Sequence, residues 1–172
     1  MSSENPTEIN AVPNLDAEQS IERQLVEAFS ELADKITIQR VRRMWVQIEM
    51  DRLHEVLVYA KEQLGFGMLC TITGTDEDTH LGLMYHLANN TGLVLTLVTT
   101  APKDGPGPST VTPYFPLADL YEREVMDLLG ARIQNMPEGA RYPLPDGWPE
   151  GQYPLRKDWK PDGKDQTKET KE

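Results

Sequence analysis

From about residue 17 onward, apolar residues return at helical spacing. Ile21, Leu25, Ala28, Phe29, Leu32 and Ile36 form one stripe, which predicts a helix over residues 17–35. Asp16, followed three residues later by Gln19, resembles a capping box at its start. The period then changes. In "ITIQRVRRMWVQIEM", Met44, Val46 and Ile48 face one way and Trp45, Gln47 and Glu49 the other, which predicts two short strands broken near Arg42 and Arg43. Leu53, Val56, Leu57, Ala60 and Leu64 restore the helical period, with Asp51 as N-cap and Gly65 as stop. Three strands follow in "FGMLCTIT", "HLGLMYHL" and "LVLTLVTT", the last two joined through the turn signal "NNTG". Beyond the proline–glycine loop "PKDGPGPS", Leu117, Leu120, Tyr121, Val125, Leu128 and Leu129 mark a third helix, opened by Pro116 and closed by Gly130.

Helix, strands, helix, then three strands on short connections predicts an α+β fold, an antiparallel β-sheet with helices packed on one face. After it comes "YPLPDGWPEGQYPLRKDW", Tyr142 to Trp159. Its prolines remove backbone donors and fix φ, so it can be neither helix nor central strand. An extended Pro/aromatic-rich C-terminal segment is expected here. The chain divides into a flexible arm over 1–15, an α+β domain over 16–130, an extended docking segment over 131–160 and a disordered tail over 161–172.

Composition narrows the function. At 172 residues the chain suits one domain. A net charge of −11 argues against nucleic acid and against direct docking on anionic lipid. The single cysteine, Cys70 in "GMLCTITG", is read as a small buried hydrophobe, and alone it cannot make a disulfide, zinc or iron–sulfur site. No run reaches the length of a membrane span. The acidic N-terminus lacks the apolar stretch of a secretory signal, so a reducing, cytoplasmic compartment is expected. No glycine-rich loop sits between a strand and a helix where a nucleotide phosphate would bind.

One carboxylate stands out in the third helix. Glu124 lies seven residues after Leu117 and four before Leu128, inside the predicted apolar stripe. Asp119 and Arg123 form an i, i+4 pair on the outer face, with Asp127 one turn on. A buried carboxylate must be paired, hydrogen-bonded or neutralised. It would be either a structural ion pair anchoring a nearby loop or a proton-handling or partner-docking group. The economical partner is Arg156 or Lys157, with Trp148, Tyr153 and Trp159 pinning the segment to apolar surface.

"YEREVMDLLGARI" followed by "LPDGWPEGQYPLRKDW" resembles the signature of the 30 kDa subunit of respiratory complex I. It is similar also to the equivalent small subunit of membrane-bound, energy-converting [NiFe] hydrogenases. The family's Glu-Arg-Glu, Asp and Gly fall on Glu122, Arg123, Glu124, Asp127 and Gly130, and its Pro-Leu-Arg-Lys-Asp on Pro154, Leu155, Arg156, Lys157 and Asp158. Between the two motifs, complex I members carry His-Pro-Asp-Leu-Arg-Arg. Here "MPEGAR", Met136 to Arg141, lacks the histidine and the first arginine, which leans toward the hydrogenase branch. The resemblance implies a cofactor-free subunit on the cytoplasmic face of the cell membrane, held there through its partners. Those partners are a large hydrogenase-like (49 kDa-type) subunit and Fe–S subunits, which would carry the Fe–S clusters and a NiFe centre.

Other residues carry less. His80 and His86, six apart on a predicted strand, would be splayed by roughly 20 Å at about 3.3 Å per residue, too far for joint metal ligation. Asp76, Glu77 and Asp78 lack the spacing of a calcium loop and read as a solvated turn, and His54 as a cap-region or surface residue. Arg40, Arg42 and Arg43 are a basic patch on a strand face, either solvated or meeting an acidic neighbour. A competing enzyme reading would make Glu124 a general acid or base, and needs a second titratable group in a pocket beside it.

Overall fold

The computed structural model describes residues 14–161, so the expected arm and tail fall almost wholly outside the described residues. Helix α1 spans Asp16–Ala28, strands β1 and β2 span Ile36–Arg40 and Arg43–Gln47, and helix α2 spans Leu53–Glu62. Strands β3 (Met68–Asp76), β4 (His80–Ala88) and β5 (Val94–Pro102) follow, then helix α3 (Ala118–Leu129). Glycine sits at the predicted stops, with left-handed φ of 76° at Gly65 and 74° at Gly130. The predicted N-caps differ: Leu15 and Arg52 precede the two first helices with no side-chain cap, and Asp16 and Asp51 lie elsewhere, in the first turn of α1 and in the 3₁₀ turn before α2. Helix α1 stops early at Phe29 (φ −137°), yet a 3₁₀ turn over Ser30–Leu32 still delivers Leu32 to the core.

The five strands form one sheet in the order β1-β2-β5-β4-β3. The β1–β2 hairpin and the β3–β4–β5 meander are antiparallel, whereas β2 and β5 run parallel, Met44 opposite Leu95 and Val46 opposite Leu97. Short connections reveal hairpin pairs, but a pairing between strands some fifty residues apart has no local signal.

Alternation decides which sheet face is buried. Leu81, Leu83, Tyr85 and Leu87 of β4 join Met44, Val46, Leu95 and Leu97 in one core with Leu25, Val56, Leu57 and Val125 of the helices. Gly74 lets α3 seat directly on β3, because a Cβ there would run into Leu129 and Val125. Cys70 corrects an expectation: it is exposed. The β3–β4 register slips between Leu69 and Thr71, so Cys70 is the extra residue of a bulge and leaves the alternation that would have buried it. The proline-rich segment forms neither helix nor strand. It is a succession of tight turns, closed by Trp148 N–H to Pro145 O, Gln152 N–H to Pro149 O, Arg156 N–H to Tyr153 O and Trp159 N–H to Arg156 O.

Candidate docking site

Helix α3 is turned relative to the stripe read from sequence. Its buried face is Ala118, Glu122, Val125 and Leu129, spaced i, i+4, i+7, i+11. Leu117 and Leu120 are 65% and 46% exposed, and Glu124 and Leu128 are half-buried. Glu124 therefore sits on an outward apolar stripe, not on the core, and among the described residues no hydrogen bond or ion pair reaches it. The expected bond from Arg156 or Lys157 does not form. Both stripes satisfy the same helical period; only the seat offered by Gly74 selects between them.

The carboxylate that α3 turns into the core is Glu122, fully enclosed. It accepts the Thr110 hydroxyl on Oε2 and the Val111 N–H at 2.8 Å on Oε1, tying the loop before α3 to the helix. Burial raises its pKa above the ordinary value, against the Thr110 and Val111 hydrogen bonds and the nearby His54, which favour the anion. His54 in turn donates Nε2–H to Ser109 O at 2.9 Å.

Arg123 and Asp127 hold the loop after α3. Arg123 makes the expected pair with Asp119, Nε to Oδ1 at 3.0 Å, and donates to Pro137 O at 2.7 Å and Ala140 O at 3.2 Å. Asp127 is buried. Its two oxygens accept Arg141 Nε at 2.9 Å and Leu144 N–H at 3.2 Å. The "MPEGAR" stretch is thus fastened at both ends by residues of the helix.

The segment around Arg156 is anchored from the other side. Arg156 lies over the Tyr153 ring at 4.5 Å and donates to Leu129 O at 2.7 Å and Lys103 O at 2.9 Å, clasping the C-terminus of α3. Gly130 underlies that clasp: a Cβ would come within 2.6 Å of Tyr153 and 2.7 Å of Arg156. The Lys157 N–H donates to Asp76 Oδ2 at 2.9 Å, and Lys157 Nζ reaches Asp78 at 3.1 Å. Asp76 also binds Lys103 Nζ at 2.9 Å and the Asp78 N–H at 3.0 Å. Those partners, Lys103 foremost, hold its carboxyl down at about 2. Asp76 is therefore a buried anchor and not part of a solvated turn. An acid at the end of an alternating strand that falls on the core face was the signal available for it. Trp148 and Trp159 pack on each other, centroids 6.0 Å apart, and both indole N–H groups bond Gln152. Leu155 donates its N–H to Leu128 O, leaving its side chain 58% exposed beside the outward stripe; Pro154 precedes it in the turn, and Asp158 is exposed at 3.9 Å from Lys103.

Residues 46–165 match the family described as the 30 Kd subunit of respiratory-chain NADH dehydrogenase. The chain belongs to this family. Among its relatives, a subunit of the F(420)H(2) dehydrogenase of Methanosarcina mazei is 34% identical over 84% of the chain and 92% of its own length. The membrane-bound hydrogenase subunit beta of Pyrococcus furiosus is 31% identical over 69% of the chain and 70% of its own length. Among solved structures, a chain of the membrane-bound sulfane sulfur reductase, an archaeal respiratory membrane complex, superposes with a TM-score of 0.74 at 27% identity, covering 83% of this chain and 85% of that one. The relatives of this 30 kDa-family protein are subunits of hydrogenase, F(420)H(2) dehydrogenase and NADH-quinone oxidoreductase complexes.

The remaining candidates in this 30 kDa-family chain go their separate ways. His80 pairs with Thr79, whereas His86 bridges Thr73 and Thr96 at 3.1 and 3.0 Å on the open sheet face. Burial, then Arg43, lowers the His86 pKa. Among the described residues no group of three His, Cys, Asp or Glu side chains converges on a metal position, and no helix is long and apolar enough to cross a membrane. Arg42 gives its backbone N–H to the buried Glu18 at 2.6 Å. The cavity beside Glu124, about 190 Å³, is otherwise lined by Thr, Ile, Gly, Val and Leu, so Glu124 is its one titratable group among the described residues.

Proposed function

We propose that this chain is a cofactor-free docking subunit of a membrane-bound redox complex of the hydrogenase and complex I class. It sits on the cytoplasmic side and packs against the large hydrogenase-like subunit, with the Fe–S and NiFe chemistry in its partners. The observation that carries this reading is the outward stripe of α3. Leu117, Leu120 and Leu155 expose large apolar surfaces around Glu124, a carboxylate that no described residue of its own chain pairs. Such a cluster suits an interface, where apolar contact gives affinity and a charge gives register. The fastened loops on either side, through Arg123, Asp127, Asp76 and Arg156, favour a surface set before the partner arrives.

The enzyme reading finds little support, since the cavity at Glu124 offers no second titratable group among the described residues. Glu124→Gln is expected to lower the yield of assembled complex roughly tenfold, the loss of one charge-assisted contact, while the isolated chain keeps its melting temperature. An unchanged assembled yield would sink the docking role of this stripe. Between branches, the "MPEGAR" departure favours a hydrogenase. A dehydrogenase of the F(420)H(2) kind is the second reading, favoured by the higher identity and longer coverage. Purification of the tagged chain from native membranes separates them: a large subunit with paired Cys-x-x-Cys motifs means a hydrogenase, and one without them a dehydrogenase.

A further inference from the structure

The two edges of the sheet are treated differently. Strand β1 is five residues long, has a register break between Ile38 and Arg40, and ends on a charged residue, all devices that keep an edge from pairing with another chain. Strand β3, the opposite edge, is nine residues long, and from Met68 to Thr75 it carries no charge and no proline. Its bulge at Cys70 disturbs only the start, leaving Thr71–Thr75 in regular ladder with β4. The row of N–H and C=O groups facing away from β4 has no strand beside it among the described residues. Two cavities lie along this edge. One, about 300 Å³, is walled by Met68 and Leu69 against Phe115 and Leu117; the other, about 190 Å³, by Thr71–Gly74 against Glu124, Leu128 and Leu155. Met68, at the start of the strand, is 62% exposed.

From this we infer that β3 is completed by an extended segment of a partner protein, which adds as a sixth strand with apolar side chains in the two cavities and a Lys or Arg against Glu124. The backbone row supplies affinity and the alternating pockets and single carboxylate supply specificity. A second copy of this chain is the poorer occupant. It would bring another molecule of net charge −11 and no basic residue in the matching strand. The inference rests on the docking role proposed above and names the mode and chemistry of that contact.

The test places a photo-crosslinking residue, p-benzoylphenylalanine, at Met68 and, as a control on the other edge, at Thr37. Both positions are exposed, so folding tolerates the change. The complex is purified from native membranes, irradiated and digested. The expected result is a crosslink from position 68 to a single partner peptide that alternates apolar residues and contains Lys or Arg, with none from position 37. Amide exchange over 68–74 is also expected to slow at least roughly tenfold in the complex relative to the free chain. A crosslink to a second copy, or no crosslink at 68 from a complex that retains the chain, overturns strand addition and leaves the docking reading standing. A chain found only in the soluble fraction, without partners, overturns both.

Discussion

Asp76→Asn removes the charge of the anchor that fastens the C-terminal segment. The asparagine keeps the volume and one carbonyl acceptor, so the Lys157 N–H can still be received. What it removes is the anion opposite Lys103 Nζ at 2.9 Å, a pair whose side chains are 2% and 15% exposed, together with the second acceptor oxygen, which receives the Asp78 N–H at 3.0 Å. Breaking a fully buried pair costs about 3–5 kcal/mol, and a charge-assisted hydrogen bond contributes about 1.5–3 kcal/mol. Lys103 retains the Asp78 carbonyl at 3.3 Å and a distant Asp158, so the lower range applies, about 2–3 kcal/mol. For a domain of this size that is a fall in Tm of roughly 5–10 °C. The pH signature is as specific as the size. A carboxyl held at about 2, against 3.8 when unfolded, stabilises the protein at and above pH 4. That contribution is lost as pH falls from about 4 to about 2, and the variant lacks this slope. Thermal melts followed by fluorescence can report both parts, since Trp148 and Trp159 lie in the segment and Trp45 in the sheet. Trypsin adds a local readout, because release of the segment opens the bonds after Arg156 and Lys157. Wild-type Tm and wild-type cleavage at neutral pH in Asp76→Asn would refute the anchor. A cycle with Lys103→Met should return a coupling of about 1 kcal/mol or more.

Two further substitutions probe the same frame. Gly130→Ala meets a left-handed φ of 74° as well as contact with Tyr153 and Arg156, so it should cost about 2–4 kcal/mol and displace the clasp. A loss under about 1 kcal/mol in denaturant titration would mean Arg156 does not seat there. Glu122→Gln should flatten a slope of opposite sign to that of Asp76. Burial raises the Glu122 pKa, so its protonated form favours the folded state below about 4.5, and this contribution fades as pH rises through the folded value. Melting curves at a series of pH values above 4.5 check it; a variant profile parallel to wild type would show that Glu122 does not titrate differently on folding.

The sequence by itself determined the elements, because period is a local property. Alternation at 80–87, helical spacing at 53–64 and the glycine stops at Gly65 and Gly130 all depend on neighbours within one or two turns. The family signature was legible for a related reason: Glu122, Arg123, Asp127, Gly130 and Arg156 each have a fixed contact to satisfy, which constrains residue type at each place. Only the tertiary structure decided which face each element presents. Two stripes on α3 fit the same period, and the close approach at Gly74 buries the one carrying Glu122, leaving Glu124 and its leucines outward. The bulge that exposes Cys70, the parallel pairing of β2 with β5 and the anchor joining Asp76 to Lys157 have the same character. Each is a contact between residues far apart in the chain or a slip in register. Its free energy comes from packing and charge pairing across space, and no local pattern records it.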